Sequence, residues 1–164
     1  MSDPYAYILI VKPSDALTIA RSLTKVAANT AGAQDIPVLQ SWSGWGSLSP
    51  AFGDNPPALW AKVAEELYEE LGQEGFLNAS ESLHTSFFTP ASVSAPLWKL
   101  LLSSGFAGGR VLDPGCGSGA LLSTCPVPDH IQYVGVESHA LTGHVARLLH
   151  PGPPSASALC GRSR

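Results

Sequence analysis

The stretch Val111-Leu112-Asp113-Pro114-Gly115-Cys116-Gly117-Ser118-Gly119, VLDPGCGSG, sets the reading of the whole chain. Two apolar residues run into an acid, and three glycines then separate that acid from the apolar residues Ala120 to Leu122. Such a run joins the end of a strand to the start of a helix through bare backbone that a ligand can approach closely. Working outward, the residues predict a strand at Arg110 to Asp113, a glycine loop opening a short helix, a second strand at Gln132 to Val136, and a second helix at Ala140 to Leu149. Strands alternating with helices imply a parallel sheet with crossover helices, an α/β fold.

The loop is built for a ligand, and its charge selects which one. Gly115, Gly117 and Ala120 satisfy the dinucleotide pattern, so a nicotinamide or flavin nucleotide has to be weighed. Asp113 argues against it. A carboxylate two residues before the first glycine lies where a pyrophosphate would rest, and two poorly solvated like charges there repel by roughly several kcal/mol. S-adenosylmethionine has no phosphate, and its ammonium and cationic sulfur turn the same carboxylate into an attraction, direct or through water. Glu137, 22 positions after Gly115, stands just past the second strand, where an acid can accept both ribose hydroxyls of an adenosine. That role suits nucleotides and S-adenosylmethionine alike.

Upstream the pattern is helical. From Ser14, with Ser14 and Asp15 placed to cap, Leu17, Ala20, Leu23, Val26 and Ala27 recur at helical spacing. A polar connection at Asn29 to Gln34 leads to a glycine turn flanked by Trp42 and Trp45, which are expected to pack against the sheet. Pro56 and Pro57 suit the first turn of a helix with Trp60, Val63, Ala64, Leu67 and Leu71 on one face and a solvated acidic run at Glu65, Glu66, Glu69 and Glu70, stopped by Gly72. A further helix is expected from about Ser94, with Pro96 in its first turn and Leu97, Leu100 and Leu101 inward. The apolar run Tyr5 to Val11 is too short to span a bilayer and reads as a short buried strand. These elements divide the chain into a helical N-terminal extension (1–80), a partial ligand-binding α/β domain (81–150) and a tail (151–164) expected to be disordered.

Bulk composition narrows the function. The 164 residues are 45% hydrophobic but only 13% charged, against roughly 25% in ordinary soluble domains, so part of the surface is expected to be covered. The formal charge of −4 opposes a chain that by itself wraps nucleic acid, since phosphate binding needs clustered Lys and Arg. Cys116, Cys125 and Cys160 show neither a paired motif nor a His at metal-ligand spacing, which predicts no disulfide framework or metal site and fits a reducing cytoplasm.

The chain resembles the gamma-ordered DNA adenine (N6) methyltransferases, specifically the methylase region at the front of large helicase and methylase fusion proteins of phage and antirestriction type. The resemblance rests on SWSGWGSLSPAF, on TSFFTP followed by an apolar helix containing Trp98, on GFAGGRVLDPGCGSGALL, and on YVGVESHALTGHVARLLHP, in that order. It implies a partial Rossmann-like, S-adenosylmethionine-dependent methyltransferase fold with a helical extension, acting on DNA, with a helicase portion as a partner and no membrane. By resemblance, Thr89 and Pro90 lie over the methionine end of the cofactor, the loop glycines Gly115, Gly117 and Gly119 hold the methionine moiety, Asp113 its amino group, and Glu137 the ribose. Phe88 stands where the family has Tyr, and Ser138 and His139 stand where it has a second acid, departures that predict lower cofactor affinity.

No catalytic residue is assigned. Transfer to an exocyclic amine needs an Asn or Asp with two prolines and an aromatic that stacks the flipped base. Asn55-Pro56-Pro57 lacks that aromatic, because Ala58 follows, and reads as a helix start. His139 and His144 are expected as surface side chains on the helix after Glu137. In the gamma order the catalytic tetrapeptide follows further strands, so the chain is expected to be an incomplete enzyme, needing a continuation or a partner. Two other readings stay open: a methyltransferase acting on RNA, protein or a small molecule, and a non-catalytic remnant or interaction module retained for Trp42 and Trp45.

Overall fold

A computed structural model describes residues 11–152 and 157–161. The strand expected at Tyr5 to Val11 falls, but for Val11, outside them. The chain separates into two compact units, 1–87 and 88–164, the division falling between Phe87 and Phe88 within TSFFTP rather than at residue 80.

The first unit is helical. Helix α1 (Pro13–Ala27) opens with Pro at its first position and with Lys12, not Ser14, as the flanking residue; the rigid φ of Pro13 suits a position whose N–H needs no partner. Its buried stripe is Ala16, Ile19, Ala20, Leu23 and Val26. Leu17 and Ala27, expected inward, lie to the side of it. Helix α2 (Ile36–Ser41) is tied back to α1 through buried Asp35, which accepts from Lys25 Nζ at 2.8 Å, Ser22 Oγ at 3.0 Å and the Gly32 N–H at 2.9 Å. A 3-10 turn, Trp45–Ala51, leads to helix α3 (Ala58–Glu81).

Helix α3 begins at Ala58 with Pro57 flanking it, so Asn55-Pro56-Pro57 leads into a helix start as expected but Pro56 and Pro57 lie ahead of the first turn rather than in it; Trp60, Val63 and Leu67 are buried. Arg21 of α1 pairs with Glu66 of the acidic run. Gly72, at φ 67°, breaks the helical path as expected, yet a second helical segment continues to Glu81. Trp42 and Trp45 are buried edge to face at 5.2 Å, and Trp45 meets Phe52 at 6.1 Å, ring contacts made inside this helical unit. The glycine between the tryptophans, Gly44, takes φ 103°, and a Cβ there would lie 2.2 Å from Ser86 O; Gly46, just after Trp45, donates its N–H to Ser86 O at 3.0 Å, and a Cβ there would lie 2.0 Å from the Phe87 ring.

The second unit carries the sheet. Helix α4 (Ala91–Ser103) precedes strand β1 (Gly109–Asp113), short helix α5 (Ala120–Ser123), strand β2 (Ile131–Glu137), helix α6 (Ala140–Leu149) and strand β3 (Ser157–Gly161). The order is β1-β2-β3, all parallel, an arrangement consistent with part of a Rossmann-like fold. Within the tail expected to be disordered, Ser157–Gly161 forms β3. Parallel pairing is made by main-chain hydrogen bonds along the second edge of β2, and a run of small residues gives little side-chain periodicity to announce it.

Helix α4 also corrects the reading. It starts at Ala91, so Pro96 lies inside it rather than in its first turn, and its buried positions are Ser94 and Trp98. Leu97, Leu100 and Leu101 are exposed instead, as is Leu112 on β1. Trp98 wins the core because its ring packs with Ile131 and Tyr133, while its indole N–H donates to Leu121 O at 2.7 Å. Among the described residues no helix is long and apolar enough to cross a membrane.

Asp35 makes the helical unit acid-sensitive. The Gly32 N–H above all, then Lys25, hold its carboxyl below the ordinary carboxylate range, against the opposing effect of burial. A pKa lowered by folding adds stability that is whole above the unfolded value and lost as pH falls through the folded one. Denaturant melts between pH 7 and 2 are expected to show that loss below about pH 4, and Asp35→Asn is expected to be less stable at pH 7 with a shallower acid limb.

Candidate functional site at the glycine loop

Strand β1 delivers Asp113 to the carboxyl edge of the sheet, and β2 delivers Glu137 to the same edge one strand over, since Asp113 pairs in register with Gly135. Ligands of open parallel sheets bind at that edge. The loop between β1 and α5 is anchored from both sides. Cys116 N–H donates to Val136 O at 3.0 Å, and Gly117 N–H donates to Glu137 Oε2 at 3.0 Å. Glu137 Oε1 accepts from the His139 N–H at 2.8 Å, so this carboxylate holds both the loop and the entry to α6. Ser138 Oγ also donates to Oε1, at 3.4 Å, so of a carboxylate's roughly four acceptor sites three are taken and one is left for a ligand's hydroxyl.

Asp113 is half-buried. Its Oδ2 accepts from the Tyr133 hydroxyl at 2.6 Å, and its Oδ1 receives the Gly115 N–H at 3.3 Å. Tyr133 is fully buried, and burial together with the hydrogen bond to Asp113 pushes its phenol pKa well up, so it remains a protonated donor. The sequence reading missed Tyr133. Its signal was a polar-tipped aromatic at an inward position of IQYVGVE, which must find a partner when buried.

The Cys116 thiol of the same loop is buried and its pKa is pushed up to about 12, by burial first and then by the charges of Asp113 and Glu137. It is therefore an inert thiol rather than a nucleophile. The loop adopts left-handed backbone at Gly117 (φ 55°) and Gly119 (φ 85°). A Cβ on Gly117 would lie 2.5 Å from the Phe88 ring, and one on Gly119 would lie 2.5 Å from the His150 ring. Gly115 has open space where a Cβ would stand.

The segment implied to cover the cofactor thus reaches the loop through Phe88. Thr89 is exposed, and Pro90 flanks the start of α4, its carbonyl accepting from the Val93 N–H at 2.9 Å and the Ser94 N–H at 3.0 Å. His144 is exposed, but His139 is not a surface residue: it caps α6, Nδ1 accepting from the Thr142 N–H at 3.4 Å, and burial lowers its pKa.

The backbone donors decide what the loop can hold. An anion site needs N–H groups pointing outward. Here the N–H groups of Gly115, Cys116, Gly117 and Gly119 go to Asp113, Val136, Glu137 and Cys116, all partners inside this unit. Beside these four engaged donors, Asp113 and Glu137 offer acceptor capacity and negative charge.

No family model and no curated protein matches this sequence. Among solved structures, it is similar to the methyltransferase subunit of a type I restriction-modification system from Streptococcus thermophilus, at 19% identity and a TM-score of 0.38, over 98% of this chain and 42% of that one. This chain spans less than half of that subunit's length.

Gly117→Ala is expected to destabilise the second unit by about 1–2 kcal/mol through left-handed strain alone, and by more if Phe88 must move. Gly115→Ala is expected to melt within about 0.5 kcal/mol of the parent, as substitutions free of such features do. Urea denaturation of both variants checks the contrast.

Proposed function

We propose that this chain binds S-adenosylmethionine at the carboxyl edge of its sheet and is the cofactor-binding portion of a DNA adenine-N6 methyltransferase. The observation that carries the reading is the inward commitment of four loop N–H groups beside two carboxylates, Asp113 and Glu137. A phosphate placed there meets negative charge with those four donors already engaged, whereas a ligand with an ammonium and a sulfonium meets matching charge.

The residues fit such a ligand part by part. Asp113, fixed by Tyr133 and Gly115, would face the ammonium. The backbone of Gly115, Gly117 and Gly119 would carry the methionine moiety, Glu137 would accept from a ribose hydroxyl, and Thr89 and Pro90, next to Phe88, would close over the methionine end. The bound cofactor supplies an electrophilic methyl group; the chain's own part is to orient it and to fix its charge.

Adenine in DNA is the proposed acceptor because TSFFTP and the tryptophan region match that class. The net charge of −4 favours DNA being engaged by another part of the enzyme or by an associated helicase portion.

Calorimetry with the whole chain tests the reading. Saturable heat is expected with S-adenosylmethionine and S-adenosylhomocysteine, none with NAD, and a loss of at least tenfold in affinity in Asp113→Ala. NAD binding, or an Asp113→Ala variant equal to the parent, would overturn it.

A further inference from the structure

We propose that Tyr133 is a positioning residue which, through Asp113, gives the site its selectivity for a ligand carrying an ammonium group; the proposal rests on the cofactor reading above. Asp113 is the last residue of an outer strand in the described sheet and sits beside Gly135, which offers it no side chain. On the strand opposite, the carboxylate is held by the residue one step back on the same face. That residue is Tyr133, opposite Val111.

Side chains two positions apart on a strand share a face, and a diagonal cross-strand neighbour is within reach of an aromatic. The tyrosine ring is itself immobile. It is fully buried and packed with Trp98 and Ile131, with Val111, Phe106 and Leu121 around them. Its hydroxyl therefore occupies a fixed point, and the 2.6 Å bond it donates fixes Asp113 Oδ2. The bond is charge-assisted and short, of the stronger kind.

With Oδ2 held from the core and Oδ1 lying over the Gly115 N–H, the remaining lone pairs of the carboxylate are presented to the loop, where the cofactor reading places the ammonium. Phenylalanine at 133 would keep the ring and its packing but release the carboxylate. Affinity for the ammonium would fall while affinity for the adenosine part would not.

The experiment compares the parent, Tyr133→Phe, Asp113→Asn and the double variant, all as the full chain, by calorimetry against S-adenosylmethionine and against 5′-methylthioadenosine, which lacks the amino-acid end. Tyr133→Phe is expected to weaken S-adenosylmethionine binding about tenfold, as loss of one hydrogen bond to a charged group does. It is expected to leave 5′-methylthioadenosine binding within about twofold, and to add nothing in the Asp113→Asn background, the non-additivity of residues acting as one unit. Equal losses for both ligands, or an equal loss in the Asp113→Asn background, would mean that Tyr133 acts only on the fold and would overturn the proposal.

Amide hydrogen exchange separates this outcome from failure of the cofactor reading. Tyr133→Phe is expected to speed exchange of the Gly115 N–H, whose acceptor is no longer held. Unchanged Gly115 exchange overturns the Tyr133 role. A parent that binds neither ligand, with Gly115 exchange accelerated in Tyr133→Phe, overturns the cofactor reading and the ammonium selectivity and leaves only the anchoring of Asp113.

Discussion

A carboxylate accepting backbone N–H groups governs the second unit. Glu137 stands at the end of the central strand and takes the Gly117 N–H with one oxygen and the His139 N–H with the other. The glycine loop and the start of α6 thus share one anchor. An N–H in such a loop would otherwise point outward as a donor for anions; turned inward, it leaves the rim with acceptors. The same bond shapes the loop and places a carboxylate against it.

That negative charge is reinforced nearby. Asp113 is supplied from β1 and steadied from the core by Tyr133, and the Cys116 thiol of the same loop is kept protonated. Burial of the thiol and the two negative charges act in the same direction, so a reactive thiolate is excluded from the site. Both acids accept hydrogen bonds from the loop backbone, Asp113 from Gly115 and Glu137 from Gly117.

The sequence made this edge of the sheet legible because the information is local. Asp113, the three glycines and Glu137 lie within one strand-helix-strand passage, and the spacing of such a unit is fixed by its geometry. Tyr133 was not legible, since its meaning depends on the register that sets it opposite Val111. The buried side of α4 was misread for a related reason. Val93, Leu97, Leu100 and Leu101 make it apolar on several sides, and only the partner ring of Tyr133 selects the stripe through Ser94 and Trp98. The strand at Ser157–Gly161 escaped because main-chain pairing, not side-chain pattern, places it. Gly46 and Phe87 were both noticed as motif residues, but their contact links segments 41 positions apart.

The indole of Trp98 has a use beyond packing. Of the four tryptophans, Trp42, Trp45 and Trp60 belong to the helical unit, and Trp98 alone belongs to the unit with the sheet. Its N–H is bonded to the carbonyl of Leu121, in the first turn of α5 two residues past Gly119, so a loop rearrangement that shifts α5 is expected to change the surroundings of the indole. With the other three tryptophans replaced by phenylalanine, its emission becomes a built-in optical gauge of loop order, free of any attached dye.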